Sequence, residues 1–373
     1  MATGWRDTKS LVMLTGWDAT ELQNFQLQDG TTFAQIVAEM GAALAALNAE
    51  LYSDPLWSSL CSYTDQPDVE YRVGASNGYE DHTEYGSPDP KRAATEGHML
   101  PLKKYDRAVG WTVDYLEDAR IEQVQADIAD AIADSRTKFR VACLSRVLDR
   151  DDDSGTAKGL GSSGYSPGFA TTAGSTYVDF IPPTYGGTAF ANTHEHYIGI
   201  TGDAWTLAAF QDMKAELREH GHEPPYEFIT GPSDEAGIRA LSDFIPAPSV
   251  AGVQYASTVS LAPGLSMLSD MNGNYYIGVI EDIRVKIVRG MPFYWGFCWK
   301  SYGSNSQRNP LRVRLHKGVL RPQVVARPDP TVGGSNPLAY LMTQMQFGVG
   351  VSDRTNGTPR YNHSATWADG TAT

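Results

Sequence analysis

Four histidines and a glutamate fall close together in this sequence: His194, Glu195 and His196, then His220 and His222. Neutral imidazole is a ligand for zinc and its first-row neighbours. On an extended strand, residues i and i+2 share a face, so each His-x-His pair could offer two ligands to one ion. Two features weigh against that chemistry. The helical His-Glu-x-x-His pattern of zinc proteases is absent, and no cysteine lies nearby. His220 also closes a predicted helix and His222 follows its end, where imidazole suits the negative pole of the helix dipole. The sequence therefore favours ordinary surface or capping histidines. A metal-dependent enzyme using the His194–His222 cluster is the competing reading.

Other candidate chemistry is weaker. Asp149, Asp151 and Asp153 are spaced like the start of a calcium loop. The glycine arrives one position late, at Gly155, and Leu160 stands where a bidentate Glu is required. A solvated Gly/Ser-rich loop is the better reading. The polar run Ser301–Asn309 reads as a loop, and Glu281–Asp282 is an isolated carboxylate pair. No Walker-type phosphate loop occurs and no dinucleotide glycine motif follows a strand. With no coherent catalytic constellation, no catalytic, cofactor-binding or metal residue is assigned. The expectation is a structural protein, not an enzyme, that needs no cofactor.

Composition narrows the class. The 373 residues carry a net charge of −14, with 41% hydrophobic and 20% charged side chains. That suits a globular chain large enough for two domains. No Lys/Arg stripe marks a dedicated nucleic-acid binder. Cys61, Cys143 and Cys298 are far apart and form no Cys-x-x-Cys pair, as expected of reduced, buried thiols in a cytoplasmic setting. No signal peptide and no run of 18 apolar residues is visible, so no membrane partner is expected.

The elements that must position these residues begin with an extended arm over residues 1–31. A helix is predicted over Thr32–Tyr52 from the three- and four-residue steps of Phe33, Ile36, Met40, Leu44, Leu47 and Leu51. Asp68–Val109 reads as a long hairpin with a polar tip at Gly74–Glu96. It has too few apolar residues for its own core, so it should rest on another subunit. Val113–Leu148 follows as one amphipathic helix of about 50 Å, with Leu116, Val124, Ile128, Ile132, Phe139, Cys143 and Val147 inward.

The second half alternates helix and strand. A helix is predicted over Asp203–His220, capped by Asp203 and stopped by Gly221. A strand at Tyr226–Thr230 and a helix at Asp234–Phe244 come next, then a loop over Ile245–Asn274. Further strands are expected from Tyr275, at Ile283–Ile287, Phe293–Trp299, Leu311–Leu315, Val319–Ala326 and Gln344–Val351. The polar tail Tyr361–Thr373 should be peripheral.

This order of elements resembles the major capsid proteins of tailed bacteriophages, the Johnson or Hong Kong 97-like fold. Three stretches carry the resemblance: TGDAWTLAAFQDMKAELREHGHEPPYEFITGPSDEAGIRAL, IEDIRVKIVRGMP, and FGVGVSDRTNG at Phe347–Gly357. The resemblance implies an α+β fold. Its parts would be an N-terminal arm and helix (1–60), an extended hairpin loop (61–110) and a peripheral domain with spine helix and Gly-rich loop (111–195). An axial domain (196–300) and a return to the peripheral domain with the C-terminal tail (301–373) complete it. It implies a subunit that assembles into pentamers and hexamers of an icosahedral virion capsid in the host cytoplasm. The shell would enclose double-stranded DNA without sequence-specific binding. Portal, scaffolding and decoration proteins are the implied further partners. Here the arm begins almost at once, so any scaffolding protein is expected to be separate. Lys–Asn cross-linking by Lys103 or Lys104 with Asn305, Asn309 or Asn356 is not expected. An encapsulin-like nanocompartment shares the fold and is the nearest alternative; a tail component fits the long helix poorly.

Overall fold

The computed structural model describes residues 26–72, 95–150, 167–169, 190–191, 194–247, 273–319, 322–327 and 338–373. In chain order its helices are α1 (Phe33–Ser53), α2 (Pro55–Leu60), α3 (Val113–Asp118), α4 (Ile121–Leu148), α5 (Leu207–Glu219) and α6 (Glu235–Arg239). The first seven strands are β1 (Cys61–Thr64), β2 (Asp68–Arg72), β3 (Thr95–Met99), β4 (Lys103–Thr112), β5 (Ile198–Gly199), β6 (Tyr226–Thr230) and β7 (Phe244–Pro246). The rest are β8 (Tyr275–Ile280), β9 (Ile283–Ile287), β10 (Trp295–Trp299), β11 (Leu311–Leu315), β12 (Val324–Arg327), β13 (Leu338–Val351) and β14 (Thr358–Tyr361). Two compact units divide the chain. One comprises Met1–Ser53, Leu102–Phe139 and Gly318–Phe347; the other comprises Asp54–Pro101, Arg140–Lys317 and Gly348–Thr373.

In the first unit, α1 starts with a reciprocal cap. The Thr32 N–H donates to Gln35 Oε1 (2.9 Å) and the Gln35 N–H to Thr32 Oγ1 (3.4 Å). Its buried stripe is Ile36, Met40, Leu44, Leu47 and Leu51, as the spacing predicts. Asn48 ties it to β12, accepting from the Val324 N–H (2.7 Å) and donating to the Val324 carbonyl (3.2 Å). β13 pairs antiparallel with β4 from Leu338↔Thr112 to Phe347↔Lys103, and with β12 on its other side.

The single helix expected over Val113–Leu148 is two helices. Ala119 is extended, and the chain re-enters helix at Ile121. The cause is capping from a distance. Asp29 Oδ2 accepts from the Ile121 N–H (2.9 Å), and the Ala119 carbonyl accepts from the Gln28 N–H (3.2 Å). Gln123 Oε1 takes the Arg120 N–H (3.1 Å). These partners satisfy the groups that a helix end leaves open. The 28 residues of α4 span about 42 Å. Its buried face runs through Val124, Ile128, Ala131, Ser135 and Phe139, while Ile132 is only half-buried. Ser135 is tolerated there because its hydroxyl donates to the Ala131 carbonyl (2.9 Å).

The second unit is built on a seven-stranded sheet in the order β5-β14-β10-β6-β9-β8-β7. The pairs β5/β14 and β6/β9 are parallel; the others are antiparallel. β6 and β10 are buried at every position, as central strands covered on both faces must be. Helix α5 lays Phe210, Met213 and Leu217 against Phe228, Ile283 and Val285. Separately, β1 pairs parallel with β11.

Several sequence expectations need correction here. The hairpin's return leg does not run on to Val109. β3 pairs with β2 only as far as Met99, and residues 100–102 belong to no strand before β4 joins β13. Pro101 has no N–H with which to continue the ladder. The hairpin tip, 74–94, and most of the Gly-rich loop after Arg150 lie outside the described residues. Helix α5 begins later than expected, because Thr206, not Asp203, accepts the capping bond from the Ala209 N–H (3.2 Å). Asp203 instead faces His363 (2.7 Å). The helix expected over Asp234–Phe244 shrinks to a 3-10 turn and the five-residue α6, with Phe244–Pro246 paired to β8. Asp234 does not cap it; its carboxylate accepts from Thr230 Oγ1 (3.0 Å) and the Tyr294 N–H (3.1 Å).

The tail is not peripheral. Trp367 is buried edge-on against Tyr197 and Trp295. Asp369 accepts from the Arg150 N–H (3.0 Å), and the Thr373 N–H donates to the Gly290 carbonyl (3.1 Å). Late aromatic side chains hold it in spite of its polar composition. All three cysteines are free and buried. No helix among the described residues is long and apolar enough to cross a membrane.

Candidate functional site

Three of the histidines converge in the second unit. His220 is brought there by the end of α5. Gly221, at φ +75°, takes the left-handed conformation that stops the helix. Its N–H donates to the Arg218 carbonyl (2.9 Å) and the His222 N–H to the Leu217 carbonyl (3.0 Å). This double closure fixes His220 at the helix end and turns His222 away from it. His196 is brought by the sheet. β5 runs parallel to β14 with Ile198 beside Arg360, which sets His196 near the start of β14. There the Gly357 carbonyl accepts a hydrogen bond from His196 Nδ1 (2.9 Å). A Cβ at Gly357 would sit 2.6 Å from the Phe169 ring and 2.8 Å from Phe297, so glycine is what lets these two rings close on the backbone here. His194 reaches the same point two residues earlier.

The Nε2 atoms form a small triangle. His194–His196 is 3.1 Å, His194–His220 2.9 Å and His196–His220 2.8 Å. His196 and His220 are buried and His194 is half-buried. Phe190 covers the group, with its ring centroid 4.0 Å from that of His220. Glu219 Oε1 lies 3.4 Å from His194 Nε2. Glu216 and Glu219 each bring a carboxylate oxygen within 4.8 Å of a His194 ring nitrogen. Buried Glu216 Oε2 has no hydrogen-bond partner among the described residues.

Electrostatics keep His196 and His220 neutral. Burial, then the neighbouring imidazoles of His220 and His194, hold His196 well below the ordinary histidine range. Burial, then His194 and His222, pushes His220 down to about 3. Burial first, then Glu219 and Asp212, raises Glu216 to about 7. His220 does sit at a helix end as expected, but as a neutral ring it gains nothing from the dipole. The surface reading fails for His196, His220 and His222, which are 0%, 2% and 1% exposed.

His222 stands apart from the trio. Its Nε2–H donates to Thr355 Oγ1 (3.0 Å), whose own proton goes to Asp353 (2.7 Å). Its Nδ1 accepts from the Tyr302 hydroxyl (2.8 Å). Glu195, which lies between His194 and His196 in sequence, turns away to Arg150 (3.1 Å). The asparagines considered for cross-linking are otherwise engaged. The Asn356 amide donates to the Lys300 and Arg308 carbonyls (2.7 and 2.6 Å), and the Asn309 amide donates to the Gly303 carbonyl (2.8 Å). Asn305 Oδ1 accepts from the Tyr63 N–H (2.7 Å).

Comparison with known proteins places the fold. No protein-family model matches the chain, and no curated protein does. Among solved structures, a chain of Mycobacterium phage Patience is similar over 91% of both chains, with TM-score 0.61 and 19% identity. A subunit of the cyanophage A-1(L) capsid is similar over 85% of this chain and 94% of its own, with TM-score 0.46 and 14% identity. The holo-SrpI encapsulin of Synechococcus elongatus is similar over 85% and 90%, with TM-score 0.42 and 11% identity. The chain has the α+β Hong Kong 97-like capsid fold.

Proposed function

We propose that this chain is the structural subunit of a tailed-phage capsid, assembling as pentamers and hexamers into an icosahedral shell around double-stranded DNA. The observation that supports this most is the fold shared with the Patience chain over nine-tenths of both molecules. In this reading 1–60 is the arm and first helix, 61–110 the extended loop and 111–195 the spine and Gly-rich loop. Residues 196–300 form the axial domain and 301–373 the return to the peripheral domain. The subunit is a building block, not an enzyme, and works in the virion after assembly in the host cytoplasm.

The chemistry of assembly is many modest contacts made at once. Edge strand β7 carries Ile245, 64% exposed, and Phe293 is 46% exposed. An edge strand with an exposed apolar side chain is a template for a neighbouring chain. The net charge of −14 leaves a wall that does not hold packaged DNA tightly. Portal, scaffolding and decoration proteins would act on this shell as separate chains.

Negative-stain microscopy of the purified chain tests the reading. Uniform icosahedral shells are expected. Shells recovered from the native source should contain DNA; protein cargo in its place would move the assignment to a nanocompartment. A chain that stays monomeric across assembly conditions would overturn both.

A further inference from the structure

We propose that His194, His196 and His220 bind one divalent transition-metal ion of the zinc class. The first argument is geometric. A triangle with edges of 2.8, 2.9 and 3.1 Å has a circumradius of roughly 1.7 Å, so a point about 2.1 Å from all three nitrogens lies just off its plane. That is the length of a zinc–imidazole bond. Glu219 Oε1, 3.4 Å from His194 Nε2, groups with His194 and not with the whole trio, so the protein supplies three ligands and leaves the remaining position open.

The second argument is a count of protons. His196 Nδ1 faces a carbonyl, which can only accept, so its one proton sits there and its Nε2 carries a lone pair. One proton from His194 or His220 can be directed at that lone pair. Whatever the third ring does, it then meets either an N–H or a lone pair of its own kind. Three mutual contacts near 3 Å cannot all be hydrogen bonds among neutral imidazoles. A cation satisfies all three.

The surroundings agree. A ligand histidine whose other nitrogen donates to a backbone carbonyl is the usual outer support of a metal site, and His196 has it through Gly357. Three imidazoles with one position left open are a donor set that zinc accepts. Buried Glu216 Oε2 has no hydrogen-bond partner among the described residues, and a Glu216 carboxylate oxygen lies within 4.8 Å of a His194 ring nitrogen, on the border of the site. The ion would fasten the end of α5 to the strand pair β5/β14. It would act as a structural clamp in a chain whose cysteines are all free. The proposal does not depend on the shell reading, because metal loading is read on the purified chain whether or not it assembles.

The test uses the full chain, stripped with a chelator, dialysed and titrated with zinc chloride by calorimetry, with thermal melts at each end point. Saturation near one ion per chain and a melting midpoint several degrees higher with zinc are expected. Cobalt(II) should give the intense visible bands of a low-symmetry nitrogen–oxygen site. His194→Ala, the least buried of the three, should keep the metal-free melting midpoint and lose the zinc-induced rise. No saturable uptake, or zinc binding by His194→Ala equal to the parent's, would overturn the site.

Discussion

The two units solve the same problem with different materials. In the second, large polar side chains go to the inside and are spent on backbone groups. Asn356, Asn309 and Arg354 are fully buried, and Arg360 nearly so. Arg354 donates to the Gly168 carbonyl (3.2 Å), and Arg360 to the Ala209 carbonyl and to Asp212 (both 3.3 Å). In the first, the buried faces of α1 and α4 are almost wholly apolar, and polar side chains meet at the rim: Arg136 with Glu50, Arg107 with Asp134, Trp111 with Asp127 (2.7 Å). A buried hydrogen-bonded network accepts one geometry, because any shift strands a donor or acceptor. An apolar stripe with ion pairs at its edge tolerates small sliding.

The sharpest break in this contrast is Asn356→Ala. It strands the Lys300 and Arg308 carbonyls and the Lys300 N–H that Asn356 Oδ1 receives (2.8 Å). A loss of about 3–5 kcal/mol is expected in urea unfolding of the subunit. A loss below that of a surface substitution would mean that the network is not what fixes this unit.

Acid should act on the second unit next. Burial, reinforced by Arg354, Arg312 and Arg146, pushes His98 down to about 3 from 6.5. Below pH 6.5 the unfolded chain takes a proton that the folded chain refuses. The stability His98 contributes is complete above 6.5 and drains away as pH falls toward 3. His98→Gln should therefore flatten the fall of the urea midpoint between those values by one proton's worth. Parallel slopes for variant and parent would rule this out.

Smaller effects are expected at the rim of the first unit. Arg136→Met should cost about 1 kcal/mol, since Glu50 is the more buried partner of that pair. Asp134→Ala should stay within about 0.5 kcal/mol, its carboxylate being largely in solvent. Asp29→Ala should leave global stability nearly unchanged but speed amide exchange at Ile121, which would lose its cap. Slow exchange there in the variant would show that Gln123 alone closes the helix.

What could be read from sequence follows the reach of each cause. The strand Tyr226–Thr230 and the helix stop at Gly221 rest on neighbours in the chain, and both are as expected. The α1 stripe, with its cap at Thr32 and Gln35, is equally local. The break between α3 and α4 was hidden because Asp29 supplies the cap from 92 residues away. The break between β3 and β4 carried a signal, Pro101 inside a supposed strand, that the apolar residues Met99, Leu100, Leu102 and Tyr105 outweighed. The histidine trio needed two facts that no spacing holds: the parallel register of β5 on β14, and the hydrogen bond of His196 to the Gly357 carbonyl. A second His-x-His soon after the first was a hint, yet only one member of that second pair, His220, joins the group.

The docked tail has an optical consequence. Trp367 and Trp295 sit 4.7 Å apart, centroid to centroid, with planes at 87°, and Tyr361 stacks on Trp295 at 4.2 Å. Chromophores this close and crossed share their excitations, so the cluster should imprint a paired circular-dichroism band that neither indole has alone. Loss of that band would time the release of the C-terminal segment without any added label.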